Sequence, residues 1–311
     1  MTGASGFIGS HLVEALGLRH EVVVLARTSR RVFPRRPVRA VVGDLGDVNA
    51  LRDATRRTDV VVHLAGLKQC DPGDIAKAIE TNINGTQALL RAAREAGTAR
   101  FVFASTYLVY GRRVDEELPC REDDELRPHD VYGMTKALAE RLVEGEALNP
   151  VILRLGHVYG GDASKTDMDV VSAFIQSGVD QGALRVFGSG KTTIDPIHVD
   201  DVCQCIEQLL DAARPVPRIL NVASGVSWSI TQIAEQVAAA ARAHGCPVAI
   251  VHEGADHRAT FSKAVAIDRL RAVLPGFSPR ALGEGIEACL ATLTPHALVE
   301  ARRVPSDHRP H

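Results

Sequence analysis

A tyrosine and a lysine four positions apart, Tyr132 and Lys136, form the residue pair in this chain with the clearest capacity for chemistry. Residues at this spacing lie on the same face of a helix. A phenol titrates at about pH 10, and an adjacent ammonium favours the phenolate that a base at neutral pH requires. The upstream hydroxyl of Thr106 could hold a substrate alcohol or carbonyl beside that phenol. The alternative is a plain helix tyrosine with a solvated lysine, because this spacing is common by chance.

Three glycines near the start of the chain, within Thr-Gly-Ala-Ser-Gly-Phe-Ile-Gly at residues 2–9, have the spacing of a dinucleotide-binding turn. Such glycines let the backbone approach a pyrophosphate and deliver it to the positive end of the following helix. The turn normally follows a buried β-strand, and no strand precedes it here. We therefore expect that the first strand of the fold is missing and that its codons lie upstream of Met1.

The overall composition excludes several classes of protein. The 311 residues are 45% hydrophobic and 24% charged, with a net charge of -2, which is typical of a globular chain and argues against a dedicated nucleic-acid binder. The cysteines form no CxxC pair, and the chain has no histidine cluster at metal spacing, so we expect free thiols, a reducing compartment and no metal. The six cysteines are Cys70, Cys120, Cys203, Cys205, Cys246 and Cys289. Without an apolar run of membrane length or a signal peptide, the chain is expected to be soluble, cytoplasmic and without a membrane partner.

Apolar runs of strand length alternate with helical segments through the first half of the chain. The predicted strands cover 21–26, 38–43, 59–65, 100–105 and 151–154, and the predicted helices cover 10–18, 75–97 and the segment from Tyr132. This alternation indicates a parallel sheet covered on both faces. We expect an α/β, Rossmann-type doubly wound domain over 1–150, to which later segments return. A smaller substrate-binding lobe over 151–295 and a disordered tail over 296–311 would follow.

The ordered set of motifs resembles the extended short-chain dehydrogenase/reductase family, the NAD(P)-dependent epimerase/dehydratase group, over nearly the whole chain. Beyond the glycine turn and the Tyr-Lys pair, the matching motifs are Gly-Asp-Leu at 43–45, His-Leu-Ala-Gly at 63–66, Thr-Asn-Ile-Asn-Gly-Thr at 81–86, Ala-Ser-Thr at 104–106, Val-Tyr-Gly at 109–111, Arg-Leu-Gly-His-Val-Tyr-Gly at 154–160, the segment 195–201 and Asn-Val-Ala-Ser-Gly at 221–225. Each motif alone is weak, and their common order makes the resemblance specific.

The resemblance implies a role for each matched residue. Tyr132 would be the acid/base that moves the hydroxyl proton, Lys136 would hold the nicotinamide ribose and lower the pKa of the phenol, and Thr106 would orient the substrate oxygen. Tyr132 and Lys136 would also contact the cofactor, together with Gly3, Ser5, Gly6, Phe7, Ile8, Gly9, Asp44, Leu45, Leu64, Ala65, Gly66 and Asn82. Among these, Asp44 and Leu45 would contact the adenine.

Two further implications concern the surroundings of the site. Ala65 would line the cofactor groove, and Asn82 would support the helix geometry beside it. The family also assembles as a homodimer through a four-helix contact, which here would use helices around 75–97 and 132–146.

The choice of cofactor can be argued from charge. In dinucleotide folds an acidic residue about 20 positions beyond the glycines binds the ribose of NAD, whereas an arginine accommodates the 2′-phosphate of NADP. Residues 22–43 contain no Asp or Glu, and their arginines are Arg27, Arg30, Arg31, Arg35, Arg36 and Arg39. Arg27 directly follows a predicted strand. We therefore predict NADP as the cofactor, with NAD as the alternative, and Arg27 as the residue that selects it.

Departures from the family pattern bear on the substrate. Dehydratases of the family carry Asp-Glu directly after the catalytic Thr, and this chain has Tyr107 and Leu108 there. Many nucleotide-sugar epimerases carry an Asn where this chain has His157 and an Arg where it has Ile194. An arginine is the natural partner of a diphosphate because its fork donates two hydrogen bonds.

Three hypotheses of function remain. The first is an epimerase or ketoreductase of a nucleotide sugar, with Tyr107, His157 and Lys191 as candidate substrate contacts and Lys191 or Arg185 in place of the missing arginine. The second is an NADPH-dependent ketoreductase of a non-nucleotide carbonyl compound. The third, from another class, is a catalytically impaired cofactor-binding paralogue.

Overall fold

The structure is a computed structural model that describes residues 1–28, 38–68, 72–113, 117–161, 169–212, 215–254 and 262–292. Several positions considered above lie outside the described residues: Cys70, Arg30, Arg31, Arg35, Arg36 and the predicted tail over 296–311.

Strands and helices alternate as the apolar runs predict. The strands are β1 (Val22–Ala26), β2 (Val38–Val42), β3 (Val60–His63), β4 (Arg100–Thr106), β5 (Pro150–Leu155), β6 (His157–Tyr159), β7 (Ala183–Phe187), β8 (Thr193–Ile194), β9 (Pro196–His198), β10 (Ile219–Val222), β11 (Trp228–Ser229) and β12 (Ala249–Glu253). The helices are α1 (Phe7–Leu16), α2 (Val48–Thr55), α3 (Ile75–Ile79), α4 (Gly85–Glu95), α5 (Val131–Glu144), α6 (Val170–Gln181), α7 (Val199–Leu210), α8 (Ile230–Ala243), α9 (Asp268–Val273) and α10 (Leu282–Thr292).

A parallel sheet organises the first lobe. β3, β4, β5 and β10 pair in the order β10-β5-β4-β3, and β1 pairs with β2, also in parallel. Met1 and Thr2 lie between the two groups of strands, because Met1 accepts a hydrogen bond from Leu25 (3.0 Å) and Thr2 donates one to the carbonyl of Val62 (3.0 Å). The parallel doubly wound arrangement predicted from the sequence is confirmed.

Side chains of β4 show how the sheet is covered on both faces. Val102 belongs to a core shared with α1, α7 and α9, whereas Phe101 and Phe103 belong to a second core shared with α2, α4 and α5. Successive residues of a strand point to opposite faces, so a strand that is apolar throughout requires helices on both sides. The candidate site residues lie at the carboxyl edge of this parallel sheet.

A third core lies outside the sheet. It is built from α6, α8, α10 and β7, with Ile175, Leu184, Ile233 and Ile286 among its buried members. The parallel pair β7 and β12 and the short pairs β6 with β9 and β8 with β11 lie in the same part of the chain.

The long helix predicted over 75–97 differs from the structure. It is divided into α3 and α4 by a π-helical segment, Glu80–Asn84. A π-helical turn widens the helix and is frequent at functional sites. Here the π-helical segment contains Asn82, whose buried side chain forms hydrogen bonds with the loop after β3.

Two further observations concern the whole described chain. Within the described segments, no helix combines the length and the apolar character needed to cross a membrane. Cys203 and Cys205 lie in α7, and no disulfide joins the described cysteines, all of which are buried.

Candidate active site

The glycine turn packs the start of α1 against the loop that follows β3. Gly3 has a φ of 70°, and a Cβ added there would lie 2.6 Å from the backbone nitrogen of Ala65. A Cβ on Gly9 would lie 2.0 Å from the carbonyl oxygen of Gly3, so both positions require glycine. Within the described segments no side chain caps α1, whose first-turn N–H groups at Phe7 and Ile8 can therefore face an anion. This cradle fits the pyrophosphate of a dinucleotide.

A chain of buried hydrogen bonds supports that loop through His63. Oγ1 of Thr86 donates to the carbonyl of Asn82 (2.7 Å), so its contact with Nε2 of His63 (2.9 Å) uses a proton on Nε2. Nδ1 of His63 then accepts from the hydroxyl of Thr2 (2.6 Å), which in turn accepts from the N–H of Ala65 (3.3 Å). Burial, above all, holds the pKa of His63 well below its ordinary value, as a neutral ring in this chain requires.

Asn82 joins the same loop to the helix that carries Tyr132. Its amide accepts from the N–H of Leu67 (2.7 Å) and donates to the carbonyl of Leu67 (3.0 Å) and to Oγ1 of Thr135 (2.9 Å). The hydroxyl of Thr135 donates to the carbonyl of Tyr132 (2.9 Å). Asn82 therefore joins the loop after β3 to α5.

Lys136 lies under this loop with only 3% of its surface exposed. Its Nζ is 3.9 Å from the centre of the Phe103 ring and 3.9 Å from where a Cβ on Gly66 would lie. Burial lowers the pKa of Lys136 to about 7, against the opposing effect of Glu140. The Lys136 amine is thus held at the loop after β3, one helical turn from Tyr132.

Tyr132 is half-buried in the first turn of α5, near the end of β4. Asp130 caps this helix by accepting a hydrogen bond from Gly133 (2.7 Å), and a Cβ on Gly133 would lie 3.0 Å from the carbonyl oxygen of Leu108. The buried Thr106 ends β4 and accepts a hydrogen bond from the N–H of Leu108 (3.2 Å). Leu108 therefore contacts both Thr106 and the first turn of α5, which carries Tyr132.

A buried ion pair that the sequence analysis did not identify lies behind these residues. Nη2 of Arg154 is 2.8 Å from Oε2 of Glu140, and both side chains are almost fully buried. Ser105 donates to Glu140, Arg154 donates to the hydroxyl of Tyr110 (3.0 Å), and Tyr110 donates to Asn221 (2.7 Å). The signal in the sequence is the position of Glu140, one helical turn beyond Lys136 on the same face of α5.

Arg27 is exposed directly after β1, at the same edge of the sheet as the glycine turn. Arg39 lies in β2 and pairs with Asp53 at 3.1 Å. Of these two described arginines, only Arg27 stands at a strand's carboxyl end, where dinucleotides bind in doubly wound folds.

The Asp-Leu pair after β2 forms a turn next to α4. Oδ1 of the exposed Asp44 accepts a hydrogen bond from Gly46 (2.9 Å). A Cβ on Gly85 would lie 2.8 Å from the side chain of Leu45, so Leu45 packs against the start of α4. Both residues lie on the side of the sheet where the adenine is expected.

The candidate substrate residues Tyr107 and His157 lie at the ends of neighbouring strands. Burial, followed by the charge of Asp195, raises the pKa of Tyr107. The backbone N–H of His157 donates to the carbonyl of Asp195 (2.9 Å). Its Nε2 is buried and has no hydrogen-bond partner within the described segments, and burial lowers the pKa of His157 to about 3.

Lys263, which the sequence analysis missed, extends over Tyr107 with its Nζ 5.0 Å from the ring centre. No local motif marks this lysine, because it reaches the site from a distant part of the chain. Lys191 is exposed on the turn between β7 and β8, and Arg185 pairs with Glu253 at 2.6 Å. The structure thus brings Tyr107 to Lys263 and leaves Lys191 at the surface.

Comparison with known proteins gives the family. Residues 1–223 match the family described as "NAD dependent epimerase/dehydratase family". The chain is 30% identical to a dTDP-glucose 4,6-dehydratase of Streptomyces griseus, over 95% of this chain and 94% of the relative. It is 32% identical to a UDP-glucose 4-epimerase of Streptomyces lividans, over 76% of this chain and 78% of the relative.

A solved structure of similar sequence is that of MoeE5 in complex with UDP-glucose and NAD. It is 30% identical, covers 93% of this chain and 96% of its own, and superposes with a TM-score of 0.78. The parallel sheet with its alternating helices agrees with these matches. The chain belongs to the NAD-dependent epimerase/dehydratase family and is an oxidoreductase-type enzyme of that family.

Proposed function

We propose that this enzyme uses NAD(P) to transfer a hydride at a hydroxyl or carbonyl carbon of a nucleotide sugar, as an epimerase or a ketoreductase. The observation that carries the proposal is the position of Lys136. Its ammonium is buried against Gly66, in the loop after β3 that is proposed to contact the cofactor, and projects from the same face of α5 as Tyr132. A buried ammonium one helical turn from a half-buried tyrosine is typical of a functional site.

In the proposed mechanism, the Tyr132 hydroxyl gives or takes the proton of the substrate oxygen. The Lys136 ammonium would stabilise the phenolate form of Tyr132 and would hold the ribose of a bound cofactor, and the Thr106 hydroxyl would hold the substrate oxygen. The hydrogen bonds of Asn82 and His63 hold the loop after β3 in position against α5. A bound nicotinamide dinucleotide would supply or accept the hydride.

The substrate class rests on the relatives, whose names specify dTDP-glucose and UDP-glucose. Tyr107 and Leu108 stand where dehydratases carry Asp-Glu, which favours epimerisation or reduction over loss of water. The test is to incubate the enzyme with UDP-glucose and either cofactor and to follow the sugar by NMR. An epimerase gives a mixture of C4 epimers without net change of the cofactor. Absence of conversion for UDP-linked hexoses and their 4-keto forms would contradict the proposal.

The second candidate is an NADPH-dependent ketoreductase of a non-nucleotide carbonyl compound. The buried Ile194 favours it, because an arginine for a diphosphate is expected there. Steady oxidation of NADPH with simple ketones, and none with nucleotide-linked keto sugars, would select this candidate. A catalytically impaired paralogue is the remaining alternative, and the complete Thr106, Tyr132 and Lys136 set argues against it.

We propose NADP as the preferred cofactor, on the basis of Arg27 and the absence of Asp and Glu from residues 22–43. MoeE5 was solved with NAD, so the preference requires a direct test. NADP(H) should bind roughly ten times more tightly than NAD(H), equivalent to about 1.4 kcal/mol. Arg27→Ala should remove that preference and Arg39→Ala, at an exposed ion pair, should not. Equal affinities in the wild type would contradict the assignment.

The remaining proposals concern organisation. The sheet lobe would bind the cofactor, and the lobe built around the third core would bind the substrate. We also propose a homodimer, supported by exposed apolar side chains on the predicted helices: Ile75, Ile79, Met134 and Leu138. Free thiols at the described cysteines support a reducing compartment such as the cytoplasm.

A further inference from the structure

The ammonium of Lys136 lies over the face of an aromatic ring. Its Nζ is 3.9 Å from the centre of the Phe103 ring, and Phe103 is fully buried in β4. The face of a phenyl ring is electron-rich, so it attracts a cation placed over it, and this attraction is larger where the cation is removed from water. Lys136 is itself only 3% exposed. The contact therefore has both the geometry and the burial of a strong cation–π interaction.

The Phe103 ring is held in place by the sheet. β4 lies between β3 and β5, and the ring belongs to the core that these strands share with α2, α4 and α5. The centre of the ring is 5.6 Å from that of His63 in β3. A Cβ on Gly66, in the loop after β3, would lie 3.9 Å from the same Nζ of Lys136. A fixed ring thus holds the ammonium next to the loop that is proposed to contact the cofactor.

The titratable groups around Lys136 do not replace the ring. On α5, Tyr132 and Glu140 lie one helical turn on either side of it. The charge of Glu140 favours the ammonium, but its carboxylate also accepts hydrogen bonds from Nε and Nη2 of Arg154 (3.1 and 2.8 Å). On β3, burial and the charge of Lys136 hold the pKa of His63 well below its ordinary value, so that ring is neutral. The one carboxylate that acts on Lys136 is therefore shared with a buried guanidinium.

Phe101 is a natural comparison for Phe103 within the same strand. It lies two residues earlier, on the same face of β4, and is equally buried in the same core. Its ring centre is 6.0 Å from that of His63, close to the distance for Phe103. Of these two rings, Phe103 is the one that lies under the ammonium. Packing alone would give the two residues the same role.

We propose that Phe103 is a positioning residue of this enzyme: the face of its ring binds the Lys136 ammonium, favours its charged form and holds Nζ at the loop after β3. This inference rests on the proposed function, in which Lys136 would hold the cofactor ribose and stabilise the phenolate of Tyr132. It adds a residue of the sheet that acts through Lys136. An aliphatic side chain would fill the core at this position without binding the charge.

The protonation of Lys136 is measured in the cofactor-free enzyme by NMR of lysine labelled with ¹³C at Cε. The signal of Lys136 is identified by its absence in Lys136→Arg. Phe103→Leu should lower the titration midpoint by about one pH unit, the size of a cation–π contact with a desolvated ammonium. The control, Phe101→Leu, removes an equally buried ring of the same core and should leave the midpoint unchanged.

A second series keeps the shape of the ring and therefore the fold. Phenylalanines with one, two and three ring fluorines are incorporated in place of Phe103. Fluorine withdraws electron density from the face of the ring with little change of volume, so the midpoint of Lys136 should fall with each fluorine added. A residue that only fills the core would give no such trend. A midpoint unchanged by fluorination would overturn the role of Phe103 and leave the proposed function standing.

The pH profile of kcat, measured with the nucleotide sugar that the wild type converts, separates this inference from the proposed function. In the fluorinated series, the alkaline limb of the profile should move to lower pH together with the NMR midpoint, because a neutral Lys136 no longer stabilises the Tyr132 phenolate. A midpoint that moves while the kcat profile stays in place would overturn the role of Lys136 in the proposed function, and this inference with it.

Discussion

Lys136 is a buried lysine, and burial disfavours the charged form of its amine. It is 3% exposed, its pKa falls to about 7, and Glu140 on the same helix only partly counteracts that effect. In a protein selected for stability alone, an apolar residue would fit this position better. The cost is understandable if the ammonium serves the cofactor ribose and the Tyr132 phenol.

The stability of the ligand-free enzyme should therefore depend on pH through Lys136. Its folded-state pKa of about 7 lies below the ordinary value of 10.5, so between these values the unfolded chain binds a proton that the folded chain does not. The free energy of unfolding of the wild type should then rise with pH relative to Lys136→Met, on the order of 1 kcal/mol per pH unit. Urea unfolding at pH 7, 8 and 9 measures this difference. Parallel pH profiles would show that the ammonium is not desolvated.

At the scale of elements, the strands were the most predictable part of the molecule. Runs such as residues 22–26 and 101–104 are apolar throughout because both faces of the sheet are covered, and this pattern is visible in the sequence. The π-helical segment was not predictable, because it depends on the bonds of Asn82 to Leu67, a tertiary contact. Lys263 was missed for the same reason, since only folding brings it to Tyr107.

The elements at the site are also joined by the buried pair of Glu140 in α5 and Arg154 in β5. Removing one partner leaves the other charge buried, so Arg154→Met alone should cost about 3–5 kcal/mol of unfolding free energy. The double variant Glu140→Leu with Arg154→Met should cost less than the sum of the two single changes. Denaturant unfolding of the four proteins measures the cycle. A cost below about 1 kcal/mol for Arg154→Met would mean that the pair does not hold these elements together.

At the scale of the whole molecule, the residues of the candidate site come from opposite ends of the chain. The glycine turn lies at residues 2–9, whereas Lys263 reaches Tyr107 from the region after β12. The candidate site therefore forms only when segments from both ends of the chain are folded together. The helices α3 and α5 carry exposed apolar side chains, Ile79 and Leu138 among them.

This exposed face predicts the oligomeric state. Leu138 is 49% exposed, and a carboxylate there would be buried without a partner in a helix-to-helix dimer. Leu138→Glu should convert the enzyme to a monomer in sedimentation velocity at micromolar concentration. Leu18→Glu, at a side chain that is 62% exposed at the end of α1, should leave the dimer intact. A monomeric wild type would contradict the proposed assembly.

The most direct test of the whole account is the turnover of Tyr132→Phe on the nucleotide sugar that the wild type converts. The change removes only the hydroxyl that is proposed to move the substrate proton. We predict a fall of about 10²–10⁴-fold in kcat, the range for a lost general acid/base, with the affinity for NADP(H) changed only a few-fold. Unchanged kcat in Tyr132→Phe, with the cofactor bound, would contradict the assignment of Tyr132 as the acid/base.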